Sequence, residues 1–272
     1  MKKVVLSISV MFFAVFGFSQ ANLSMVNQTG LGNMSDVDQD GLLNYSNVDQ
    51  FGAFNDSEVD QDGAFNASEV NQVGWGNESQ VDQLGFFNES DVNQLGIGNM
   101  ASVSQIGIAN GSDVDQFGIG NEATVIQLGE RNDATVLQIG EDNSSTALQV
   151  GQDNTSDQFQ FGEDNTAIAA QMGDDNSSTQ TQIGEGNLGF TLQNGDSNVS
   201  LQLQLGEDNI AIHDQDGFGN LAITTQDGED NLSYIEQDGA LNAAWTNQTG
   251  EAHMSFVNQT GVGNVSLVNQ SN

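Results

Sequence analysis

Residues 61–72 read QDGAFNASEVNQ and residues 116–127 read QFGIGNEATVIQ. Both stretches carry Gln, Gly two residues on, Asn five on, a small residue seven on, Val nine on, and Gln again at the eleventh step. Working outward, Gln recurs at every eleventh position through Gln28, Gln39, Gln50, Gln61 and Gln72 to Gln259 and Gln270, and no insertion or deletion interrupts the series. Gly follows two residues after each unit-opening Gln, through Gly30, Gly41, Gly52 and Gly63 to Gly261. Asn follows five residues after it, through Asn33, Asn44, Asn55 and Asn66 to Asn264, with His253 the one exception. The seventh position is small (Ser35, Ala101, Gly189) and the ninth is Val from Val37 to Val136.

Asn, the small residue, Val and the next Gln lie two apart, which places all four on one face of a β-strand. Gly-x-x breaks the alternation and reads as the turn, where glycine tolerates dihedrals and close approaches that other residues do not. A Gly in every unit and poor helix formers at the fixed positions argue against a helical repeat of the same period. Each unit is therefore one strand plus one tight turn, and two facing arcs of eleven positions close a coil of twenty-two. The ninth position shows the longer period independently: it becomes Ala147, Gln158, Ala169, Gln180, Thr191, Gln202 and His213, with Gln in every second unit. The expected fold is all-β, a β-solenoid of stacked two-strand coils in cross-β arrangement. It forms one domain over residues 22–272, with alternate arcs in two opposed sheets. Eleven coils about 4.8 Å apart would make a rod about 50 Å long.

Inward Gln and Asn would ordinarily carry a desolvation penalty. Stacked about 4.8 Å apart, identical amides can bond along the rod as ladders. Constant register is what this needs, because a slip of one residue inverts the alternation. The complete absence of Pro fits a chain whose every strand must donate to a ladder.

Asp and Glu number 38 against 3 Lys and Arg, for a formal charge of −35. That excludes nucleic acid as a partner by charge attraction and disfavours anionic lipid. There is no Cys, hence no disulfide framework or zinc-thiolate site. Met1-Lys2-Lys3, the apolar run Val4 to Phe18 and the small residues Ser19 to Ala21 read as a secretory signal peptide over residues 1–21. No second apolar run follows, so the mature chain is expected to lack an integral membrane segment and to be exported.

The tandem unit resembles the curlin repeat of curli, a bacterial extracellular functional amyloid. The family's arc, Gln-x-Gly-x-x-Asn-x-Ala-x-x-x-Gln, is matched by residues 116–127, and with Ser for Ala by residues 61–72. Here both arcs of a coil carry the Gly-x-x-Asn turn. The resemblance implies a secreted β-solenoid subunit that polymerises with itself into cell-surface fibres for biofilm matrix, adhesion and aggregation. It further implies a nucleator subunit and an outer-membrane secretion channel as partners.

Outward positions vary along the rod. Asp36, Asp38 and Asp40 should lie beside Glu58, Asp60 and Asp62 on the next coil. Such charges delay lateral aggregation; the sharper reading is a divalent-cation site, with Ca2+ the candidate ion, although the spacing departs from a calcium loop at Asn47. Glu141, Glu163, Glu185, Glu207 and Glu229 recur in every second unit and should form a rail along one edge. Phe159, Phe161, Phe190, Leu201, Leu203 and Leu205 form outward apolar strips that read as a lateral interface between filaments. His213 and His253 read as substitutions tolerated within ladders. A homogeneous repeat offers no converging set of unlike groups, so no catalytic site and no resident cofactor are expected. The alternative to a fibre subunit is a monomeric acidic solenoid that acts as an adhesin or binds a cation or surface ligand.

Overall fold

The structure, a computed structural model, describes residues 21–272; the expected signal peptide lies outside the described residues except for Ala21. The described chain is a run of 23 strands, from β1 (Leu23–Leu31) and β2 (Met34–Leu42) to β22 (Met254–Val262) and β23 (Val265–Ser271). Odd-numbered strands form a parallel 12-stranded sheet and even-numbered strands a parallel 11-stranded sheet. Each strand pairs with the strand two along in sequence, so that Gln28 faces Gln50 and Gln39 faces Gln61. The fold is the expected β-solenoid of about eleven turns. Among the described residues no helix is long and apolar enough to cross a membrane.

The corner is tighter than the sequence pattern indicates. Strand pairing runs through the Gly and one residue beyond it, and only two residues, such as Leu43 and Asn44, separate consecutive strands. The Gly-x-x turn is thus a bend within the strand followed by a two-residue corner. The repeat glycines hold φ between 108° and 143°, and the residue two beyond each sits in the left-handed region, as at Leu43 (57°) and Asp142 (53°). A Cβ placed on Gly63 would collide with the Gly85 carbonyl oxygen, so backbone stacks on backbone here and only glycine fits.

Inward faces close the interior. Asn44, Ser46, Val48 and Gln50 are all buried, and the same four columns are buried along most of the rod. The valine column forms an apolar spine from Val48 to Val136. Beyond Ala147 that column turns polar, and a separate apolar cluster resumes with Ala222, Ile235, Ala244 and Val257.

Candidate functional site

The interior ladders are continuous in both sheets. In one, each Gln Nε2 donates to the Oε1 of the next coil, from Gln28 to Gln50 (2.7 Å) through to Gln248 to Gln270 (2.8 Å). The other runs from Gln39 to Gln61 (2.6 Å) through to Gln237 to Gln259 (2.8 Å). The second amide proton bonds the preceding arc, as Gln116 Nε2 does with the Met100 carbonyl at 2.9 Å. The Asn column runs the opposite way. Asn121 Nδ2 donates to Asn99 Oδ1 (3.1 Å) on the coil before and to the Gly140 carbonyl (3.0 Å) on the coil after. Asn99 Oδ1 also accepts the Asn121 backbone N–H (3.2 Å). A buried amide with both protons and its oxygen engaged carries no desolvation deficit.

Where valine gives way, the polar replacements satisfy one another. Gln158, Gln180 and Gln202 form a second ladder at 3.0 Å per step, and the Ser145 hydroxyl donates to Gln158 Oε1. The line continues through Thr191 and Ser200 (2.9 Å), from Ser200 to His213 Nδ1 (2.7 Å), from His213 Nε2 to Thr224 (2.8 Å), and on to Ser233 (2.9 Å). His213 is fully buried, and desolvation lowers its pKa to about 3. His253 keeps the ladder's backbone bond to Asn231 Oδ1 (3.0 Å), while its ring bonds the Thr249 carbonyl (3.1 Å).

Sequence reasoning missed a set of unpaired groups. The hydroxyls of Ser46, Ser57, Ser68, Ser79 and Ser90 are buried with no hydrogen-bond partner. They face the valine spine, which offers no acceptor. The signal in the sequence was the residue thirteen positions on, at the inward position of the facing arc: Val59 for Ser46, where Ser145 meets Gln158 and Ser200 meets His213.

Outside, Asp36, Asp38 and Asp40 do lie in register with Glu58, Asp60 and Asp62. Among the described residues no group of three or more His, Cys, Asp or Glu side chains is disposed to hold a metal ion. The carboxylates that crowd most strongly lie further along: Glu69, Asp91 and Asp113 stack on successive coils. Burial, then the charges of Asp113, Glu69 and Asp115, push the Asp91 carboxyl up to about 6. The glutamate rail is present, with Glu141, Glu163, Glu185, Glu207 and Glu229 stacked coil on coil.

Of the lateral strip, Phe161 and Leu201 are exposed, whereas Phe159, Phe190, Leu203 and Leu205 are half-buried by stacking on their neighbours. Other large apolar side chains of the first half are exposed on the corners: Phe54, Trp75, Phe86 and Phe87 are each more than half exposed. Sequence reading followed the face positions and passed over the corners.

Comparison with known proteins agrees with this geometry. The family model described as "Curlin associated repeat" matches residues 76–107, 129–157 and 206–239. No curated protein matches the chain.

Proposed function

The chain is a curlin-repeat protein, and from that premise we propose that it is the secreted structural subunit of an extracellular, curli-like amyloid fibre. The chain grows fibres by end-to-end templating, contributes to biofilm matrix, adhesion and aggregation, and performs no catalysis. Export through an outer-membrane channel and nucleation by a minor subunit belong to the same reading.

The observation that carries it is the equivalence of the coils. Each coil presents the next with the same Gln amide proton and Asn oxygen, and the one before with the same Gln oxygen and Gly carbonyl, in the same register, over both sheets. A coil of one copy can therefore receive a coil of another as it receives its own successor. A β-sheet that extends by identical steps is a template for its own growth.

Seeded assembly tests this. The chain beginning at Asn22 is diluted from denaturant with and without sonicated fragments of its own product, and thioflavin fluorescence and electron microscopy are followed. Seeds should abolish the lag and give fibres. A strand-rich chain that stays monomeric and ignores seeds would refute the fibre reading and favour a monomeric binding solenoid.

A further inference from the structure

Apolar and acidic columns exchange places halfway along the rod. In the first half the sheet faces carry carboxylates, as at Glu58, Asp60 and Asp82, beside an apolar column through Phe51, Val73 and Leu95, while the corners after the even-numbered strands carry Leu42, Leu43, Phe65, Phe86, Phe87 and Ile108. In the middle coils the same edge carries Glu130, Asp153, Asp174, Asp175 and Asp196. Those six apolar side chains are between 42% and 58% exposed.

Two independent features oppose this arrangement in an isolated rod. Water opposes it, because bulky side chains stand half in solvent. Backbone conformation opposes it too: Leu43, Phe65 and Phe87 hold φ of 57°, 61° and 60°, in a region that suits Gly, Asn or Asp. Farther along the same edge, Asp153, Asp175 and Gly219 occupy that corner position. Phe65 and Phe87 stack with centroids 4.8 Å apart and planes 8° apart, which makes a flat apolar ridge.

We propose that this ridge is a lateral contact with the same ridge on a second copy of the chain. Charge selects the occupant. In a chain this acidic, two copies that meet through their first halves can avoid apposing carboxylates only along the edges. A basic partner would instead seat on the acidic faces or the acidic stretch of the edge. The ridge offers roughly 500 Å² of apolar surface per copy, at the lower limit for a specific contact, so a single contact is weak and reversible. Repeated along stacked rods it gains by multivalency. Within a bundle the contact brings the acidic stretches of neighbouring edges together, so pairing strengthens as salt screens them.

The inference rests on the fibre reading, and the test separates the two. Fibres of the parent chain, of Phe65→Ser/Phe87→Ser and of Asp174→Asn/Asp175→Asn are grown from parent seeds at low and at physiological salt, and rods per bundle are counted by electron microscopy. The parent should bundle more at higher salt. The serine variant should elongate normally yet stay as single rods at both. The asparagine variant should bundle already at low salt, since Asn suits the left-handed corner at position 175. Parent-like bundling by the serine variant, or no change in the asparagine variant, overturns the contact. If the parent forms no fibres, the fibre reading fails, and sedimentation decides the ridge: a dimer dissolved by the serine substitutions sustains it, and a monomer overturns it.

Discussion

Replacing Gln116 by Glu changes one atom's chemistry in the centre of a ladder. Gln116 is fully buried. Its Nε2 donates to Gln138 Oε1 at 2.8 Å, the Met100 carbonyl at 2.9 Å and the Asn121 carbonyl at 3.1 Å, and its Oε1 accepts from Gln94. An ionised Glu accepts the Gln94 bond but donates none, and sets two oxygens against each other at Gln138. The chain escapes by protonating it. With a reference pKa near 4.3, protonation at pH 7 costs about 3.7 kcal/mol. The new O–H restores the bond to Gln138 and leaves the carbonyl bonds unmade, a further loss of about 1 kcal/mol. The folded pKa is raised, so the penalty grows as pH climbs above the unfolded value and fades below it. The expected destabilisation relative to the parent is about 5 kcal/mol at pH 7 and about 1 kcal/mol at pH 4. Guanidinium unfolding followed by circular dichroism reads both values. Equal penalties at the two pH values, or less than about 1 kcal/mol at pH 7, would mean the ladder is hydrated rather than a dry chain of donors and acceptors.

Three further substitutions probe the remaining inward columns. Ser57→Ala and Ser68→Ala remove buried hydroxyls that have no partner; Ala101 and Ala123 already fill this column, so each change should stabilise by about 1 kcal/mol, seen as a higher guanidinium midpoint. A lower midpoint would show those hydroxyls to be bonded. His213→Thr tests the relay. The parent's His213 stays neutral when folded down to about pH 3, while the unfolded chain takes up a proton below about 6.5. The parent therefore loses stability as pH falls through that window, and the variant does not. The variant's deficit at pH 7 should shrink by about 3 kcal/mol by pH 4, and an unchanged deficit would place a charged or solvated imidazole in the interior.

How far the sequence could be read depended on whether a feature repeats. The ladders were legible because Gln and Asn return in every coil, and strict register leaves one way to stack them. The corner was misjudged because a glycine's dihedral has no sequence signature beyond the glycine itself: a turn and a bend inside a continuing strand look alike in one dimension. Asp91 was not distinguished from Asp36, because what perturbs it is burial together with neighbours on both adjoining coils, Glu69 and Asp113. The ridge was missed because Leu43, Phe65 and Phe87 occupy a position where the turn predicts Gly or Asn. Read as tolerated turn residues, they do not look like a column; stacked one per coil, they form one.

The exchange of columns also explains how one ladder system tolerates two different interiors. Around Val59 the apolar contact is internal: the valine spine fills the space between sheets, and Glu58, Asp60 and Asp62 face water. Around Gln202 the inward position is polar and hydrogen-bonded, and Leu201, Leu203 and Leu205 carry the apolar contact outside. Side chains stacked about 4.8 Å apart partly bury one another without any partner: Leu203 lies between Thr181 and Thr225, and Leu205 between Ile183 and Asp227, so both are only half-exposed. Around Val59 the apolar stabilisation thus comes from within, whereas around Gln202 it comes from side chains stacked on the outside. Hydrogen-bond ladders common to both halves fix the register. Apolar contacts are then free to change sides, so the rod can vary its exterior from coil to coil without disturbing the strand pairing.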